Sequence, residues 1–292
     1  MVKWRGRDGS RNVEDRRGAA AGAGLSGLAI LLIRFVFSRF GIGGIIVLVG
    51  GFFALRAVGV DPLALLAGQP SQPVQMTQAD EDAFQFSSVI LAETEKVWTD
   101  IFAEAGAVYP PTTLVAYTGG TQTGCGYGQA AAGPFYCPAD QKVYLDTSFF
   151  TELERRFGAP GDFAAAYVIA HEVGHHVQTV TGISNQVRQR QSAVGETEQN
   201  QLQVRMELQA DCYAGVWANR ADRTSGLLDD GDIEEGLRAA SAIGDDTLQK
   251  NAGRRVTPES FTHGSSRQRV DWFTRGYRSG AVNACDTFSG VL

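Results

Sequence analysis

The stretch Phe163-Ala-Ala-Ala-Tyr-Val-Ile-Ala-His171-Glu172-Val-Gly-His175-His176-Val177 restricts this chain more than any other. Its first half is a good helix former. Pro160-Gly161-Asp162 reads as a turn with Asp162 as N-cap, and Thr181-Gly182 reads as a stop. The H-E-x-x-H pattern therefore falls mid-helix, where residues four apart share a face. Two imidazoles so placed can bind one divalent metal, and zinc suits neutral imidazole nitrogen. Glu172, next to the first histidine, is placed to accept a proton from water at that metal without binding it. A chance match on an ordinary buried helix is the competing reading, and residues further along argue against it.

The 292 residues, 43% of them hydrophobic, suffice for one substantial core or two modest ones. A net charge of −6 and the lack of a basic stripe interleaved with aromatics set nucleic-acid binding aside. Residues 1–24 read as a basic cytoplasmic tail, disordered over about the first 20, with Lys3, Arg5, Arg7, Arg11, Arg16 and Arg17. Residues 25–60 read as a membrane anchor with one span at about 41–60, flanked by Arg39 and Arg56. The apolar run 18–33 is rich in Gly and Ala and reads as an interfacial segment, with a helical hairpin as the alternative. A cleaved signal peptide fits poorly, because the polar region is long and the run exceeds an h-region of ~7 to 15 residues. Basic residues crowd the N-terminal side, so the expected topology is single-pass, with the N-terminus cytoplasmic and the rest outside.

Pro62, Pro70 and Pro73 make residues 61–77 a linker, and the domain expected after it spans 78–292. Thr77 caps a helix reaching to Gly106, Thr112–Tyr117 is strand-like, and so is Lys142–Asp146. If the latter is an edge strand beside the metal helix, an extended peptide can add to it; an ordinary core strand fits the sequence equally well. Four cysteines outside a membrane suggest disulfides, with Cys125–Cys137 and Cys212–Cys285 the simplest of three connectivities. A cysteine metal site is disfavoured because no C-x-x-C occurs. Residues 182–195 read as a polar stretch, and the acids from Asp229 to Glu235 suit a helix start better than a calcium loop.

A second long helical pattern, about Glu196 to Asn219, carries Glu207 and Asp211 four apart on one face. A carboxylate can complete a His2Glu zinc site, and a second can accept the free N–H of a ligating imidazole. Cys212 lies about 100° round the helix from Asp211 and falls outside the set. His176 is turned from His175 by about the same angle and reads as packing.

H-E-V-G-H-H followed by E-L-Q-A-D-C-Y-A-G-V-W-A resembles the bacterial neutral zinc metallopeptidase family, and more distantly the gluzincins. The resemblance extends to Asn12–Arg17, Gly133–Pro138, Tyr144–Asp146, Ala240–Asp246 and Phe261–Ser266. It implies zinc ligation by His171, His175 and Glu207, with Glu172 as catalytic base and Asp211 supporting a ligand. His263 resembles a histidine that in gluzincin membrane proteases sits near the C-terminal helix, where it can stabilise an oxyanion or position substrate. A loop-fixing role for His263 is equally consistent with the sequence.

These readings together give an α+β, mainly helical, gluzincin-like domain with a small sheet behind an N-terminal transmembrane helix. The expected function is hydrolysis of peptide bonds in a peptide or protein substrate, using Zn2+, at the outer face of the bilayer. The alternatives are a membrane-tethered binding module with a structural zinc, and an enzyme acting on cell-wall peptides. Glu172 favours an enzyme, since a structural site does not require it.

Overall fold

A computed structural model describes residues 1–18, 76–129, 133–157 and 161–290, with the isolated positions Val36, Phe52 and Arg56. Apart from Phe52 and Arg56, the expected span at 41–60 lies outside the described residues, as does nearly all of the linker. Among the described residues no helix is long and apolar enough to cross a membrane.

The first correction is at the N-terminus. Residues 1–16 are not a disordered tail; they belong to the folded unit that continues from Thr77. Strand β1 (Val13–Asp15) pairs in parallel with β2 (Thr113–Tyr117), Val13 opposite Leu114. Main-chain bonds from Leu114 N–H to the Asn12 carbonyl (2.9 Å) and from Arg16 N–H to the Ala116 carbonyl (2.8 Å) extend the ladder. Val2 and Trp4 are buried in the main core. The basic residues meet carboxylates far along the chain: Arg7 with Glu93 and Arg5 with Asp82, both at 3.3 Å. The charge that reads locally as a solvated tail is thus paired across the fold.

Helix α1 (Gln78–Glu104) starts at a capping box between Thr77 and Asp80 and buries Phe86, Val89, Ile90, Val97 and Trp98. The sheet has the order β1-β2-β6-β5, with β6 (Lys142–Asp146) parallel to β2 and antiparallel to β5 (Phe135–Cys137). The strand at Tyr144 is therefore interior and cannot take an added peptide. The edge strand beside it is β5, whose three residues give too short an alternation to register as a strand. A separate hairpin, β3 (Gly120–Thr123) with β4 (Gly126–Gln129), is tied to β5 by the Cys125–Cys137 disulfide. The second disulfide joins Cys212 and Cys285.

Helices α2 (Phe149–Phe157), α3 (Asp162–Val180), α4 (Ile183–Gln191), α5 (Glu196–Ser225), α6 (Asp232–Ala242), α7 (Asp245–Asn251) and α8 (Ser266–Ser279) complete the unit. Asp162 is not the N-cap of α3. Gly161 holds that place, and the Asp162 carboxylate accepts the Val2 N–H (2.9 Å). With Asp232 and Glu235 it forms an acidic group that the Met1 ammonium enters, 2.9 Å from Asp232. Helix α4 occupies the stretch that reads as merely polar, because only Ser184 and Val187 along it are buried. Ser265 caps α8 in a capping box with Gln268.

Two close helix crossings fix the site. At Gly174 of α3 a Cβ would sit 3.1 Å from the Ala210 Cα of α5, so the helices touch through backbone. Gly215 of α5 and Gly276 of α8 leave no room for a Cβ against the facing main chain. The result is an α+β, mainly helical unit with a small sheet.

Candidate metal centre

Helix α3 presents His171 and His175 one turn apart, their rings edge to face at 4.8 Å. The crossing at Gly174 brings Glu207 of α5 opposite them. Glu207 Oε2 lies 3.2 Å from His171 Nε2 and 3.5 Å from His175 Nε2. One donor atom from each of the three residues falls within 4.8 Å of the other two.

The remaining nitrogen of each imidazole is already engaged. His171 Nδ1 lies 2.8 Å from Asp211 Oδ1, and His175 Nδ1 lies 2.9 Å from Gln178 Oε1. A donor hydrogen on each Nδ1 fixes the tautomer that leaves both Nε2 lone pairs facing Glu207. Gln178 is held in turn by donating to the Met206 carbonyl (2.8 Å) and Gln209 Oε1 (3.0 Å). Gln203 Nε2 donates to Glu207 Oε1 (2.8 Å). Two imidazole nitrogens and a carboxylate, oriented from behind, fit zinc and leave a fourth position for water or substrate.

Burial depresses the histidines, yet Asp211 and Glu207 hold His171 up to about 9 and keep His175 above its ordinary value. Against the upward push of burial, the two imidazoles draw Glu207 well below the usual carboxylate range. The cluster thus demands positive charge, which protons or a divalent cation can supply. Burial raises the Glu172 carboxyl, partly offset by the two imidazoles and by the Tyr136 N–H of β5, which donates to it.

Sequence reasoning missed Arg269. Its guanidinium, 2% exposed, bonds both oxygens of Asp211, Nε to Oδ2 and Nη2 to Oδ1 at 2.9 Å each, and Nη2 reaches the Tyr167 hydroxyl at 3.1 Å. Tyr167 itself donates to Asp211 Oδ1 (2.5 Å). A signal existed: Arg269 precedes the buried Phe273 by one helical turn, so a cation falls on the face the helix must bury.

Glu172, the two histidines, Glu207 and His263 line one cleft of about 780 Å³, walled on one side by Phe135 and Tyr136 of β5. His263 stands at its exposed side. Asp245 Oδ1 lies 3.3 Å from His263 Nδ1, and Oδ2 accepts the main-chain N–H groups of Thr262, His263 and Gly264. His176 stays outside this cluster of three. Burial lowers its pKa; the neutral ring donates from Nε2 to the Pro110 carbonyl (2.7 Å) and accepts the Tyr136 hydroxyl at Nδ1 (3.2 Å).

Comparison with known proteins agrees with this geometry. The profile of a family described as "Putative neutral zinc metallopeptidase" matches residues 2–288. The chain belongs to this family. Its cofactor is accordingly zinc, and the three converging donors form a group that could hold such an ion. The uncharacterized protein YpfJ of Escherichia coli K12 is 48% identical over 295 residues, covering 98% of this chain and 99% of its own. Uncharacterized proteins of Mycobacterium bovis (Mb2605) and Mycobacterium tuberculosis (Rv2575) are 40% identical over 258 residues, covering 80% of this chain and 85% of theirs. No solved structure matches.

Proposed function

We propose that this chain is a membrane-tethered zinc metallopeptidase that cleaves peptide bonds within an extended polypeptide. The observation that carries the reading is the place of Glu172: a buried carboxylate in the same cleft as three converging metal donors, yet outside the ligand set. A structural site has no use for such a group.

A zinc ion held by His171, His175 and Glu207 supplies Lewis acidity, which acidifies water and polarises a carbonyl. Glu172 accepts the proton of the attacking water and hands it to the leaving amine nitrogen. Asp211 and Gln178 keep the two imidazoles in the tautomer the ligand set needs. His263, held by Asp245 at the same cleft, would donate to the carbonyl oxygen that becomes the oxyanion. The open edge of β5 offers main-chain groups to a substrate running along the cleft, the role that sequence reading gave to the strand at Tyr144.

The two disulfides support an oxidising compartment for the domain, and the apolar sequence of residues 25–60 supports the tether. The full-length protein in detergent, incubated with an unstructured polypeptide, tests the reading. Cleavage that disappears with a chelator and returns with stoichiometric zinc is expected. Cleavage indifferent to chelation sinks it.

A further inference from the structure

The fold of residues 1–16 bears on how the chain meets a membrane. Those residues and the chain from Thr77 onward form a single compact unit. Strand β1 is bonded into the same sheet that walls the metal cleft, and Val2 and Trp4 sit in the same core as α3. A strand cannot be hydrogen-bonded to β2 from across a bilayer. Arg16 and Thr77 therefore stand on the same side of any bilayer.

We propose that the N-terminal strand and the metal-site domain share the extracytoplasmic compartment, so that the N-terminus is exported rather than cytoplasmic. This rests on the tethered reading given above.

Three further observations converge on it. Both disulfides lie in the unit that contains β1 and its neighbours, which fits an oxidising compartment for that unit. The basic residues near the start are engaged with the domain: Arg7 with Glu93, Arg5 with Asp82, Arg16 with Glu14 and Lys3 with Asp229 at 3.5 Å. Their charge is spent on folding and is a weak signal for retention inside the cell. Between Arg17 and Arg56 the sole basic residues are Arg34 and Arg39, and they separate the apolar runs 18–33 and 40–55. Positive charge at Arg34 and Arg39 lets the sequence satisfy the positive-inside rule without a cytoplasmic N-terminus. A single crossing with the N-terminus inside would have to pull β1 out of the sheet.

Cysteine labelling of the full-length chain decides the matter. The four native cysteines are paired, so Asp8→Cys and Asn251→Cys, both exposed positions away from the metal cleft, provide unique thiols in separate variants. Spheroplasts producing each variant are treated with a membrane-impermeant maleimide before and after lysis. The expected result is full labelling of both before lysis, with the chain resisting extraction by sodium carbonate. Labelling of Asp8→Cys only after lysis, with Asn251→Cys labelled before, overturns the shared compartment. Labelling of both only after lysis overturns the extracytoplasmic side. Release of the chain by carbonate overturns the tether itself, a failure of the earlier reading that is separate from sidedness.

Discussion

The residue on which the site turns is Asp211, which is wholly buried and has its charge met by Arg269, Tyr167 and His171. Removing one member of such a buried set leaves an uncompensated charge, which costs on the order of 3–5 kcal/mol. Arg269→Met is expected to lower stability by about that amount in denaturant titration. Asp211→Asn leaves the buried Arg269 without its counter-charge and takes the carboxylate charge from behind His171. Zinc affinity, read by competition with a chromophoric chelator, is expected to fall roughly 10–100-fold. A second cluster responds to pH. Burial pushes Asp245 up, but the His263 hydrogen bond and the loop amides bring it below its ordinary value, and the same bond raises His263. A depressed carboxylate stabilises above its unfolded pKa of 3.8, and that contribution is lost as pH falls through the folded value. A raised histidine contributes fully below 6.5 and loses that contribution as pH rises through its folded value. The stability gap between the wild type and Asp245→Asn is therefore expected to be widest between those limits and to narrow on either side. A gap independent of pH contradicts the pairing.

At the scale of elements, the crossing of α3 and α5 makes a centre out of two separate motifs. Gly174 is the contact point, and a methyl group there meets the Ala210 backbone at 3.1 Å. Gly174→Ala forces the helices apart or strains them, an overpacking cost of typically about 1–3 kcal/mol. Because the displacement falls between His171 and His175, zinc affinity is expected to drop even where the variant remains folded, as circular dichroism and metal content together will show. Undiminished zinc binding in a folded variant contradicts the crossing. Helices α3 and α5 were legible in the sequence because each is long, periodic and carries its functional groups at helical spacing. Glu207 and Asp211 stood out because acids sit among apolar neighbours. Arg269 was harder to see because its carboxylate lies 58 residues away and nothing local names the partner. Strand β5 and helix α4 escaped for a different reason: one is too short to show alternation, and the other buries too little to show a stripe.

At the scale of the whole molecule, the misreading of residues 1–16 is instructive. Val13-Glu-Asp15 in a charged neighbourhood has no sequence mark of a strand; its identity comes from β2, about 100 residues later in the chain. Trp4 lies edge to face with Phe86 at 5.7 Å, again a contact that local composition cannot reveal. Burying a side chain of the size of Val2 or Trp4 contributes about 1.5–3 kcal/mol, and the ladder bonds to β2 add to that. A chain starting at residue 78 is therefore expected to melt well below the full-length protein, or to aggregate through the bared edge of β2. Adding a peptide of residues 1–17 in trans is expected to raise its melting temperature. Equal melting temperatures for the two chains contradict the assignment of β1 to the fold.

On the function proposed above, a metal centre and a base outside its donor set act together on peptide bonds. The most direct test compares full-length wild type with Glu172→Gln, measuring bound zinc by elemental analysis and cleavage of an unstructured polypeptide in the same samples. One zinc per chain in both proteins is expected, with cleavage by the wild type and a loss of at least about 100-fold in the variant, the scale of general acid–base catalysis. Equal cleavage by both proteins, or one zinc in each with cleavage by neither, contradicts the account.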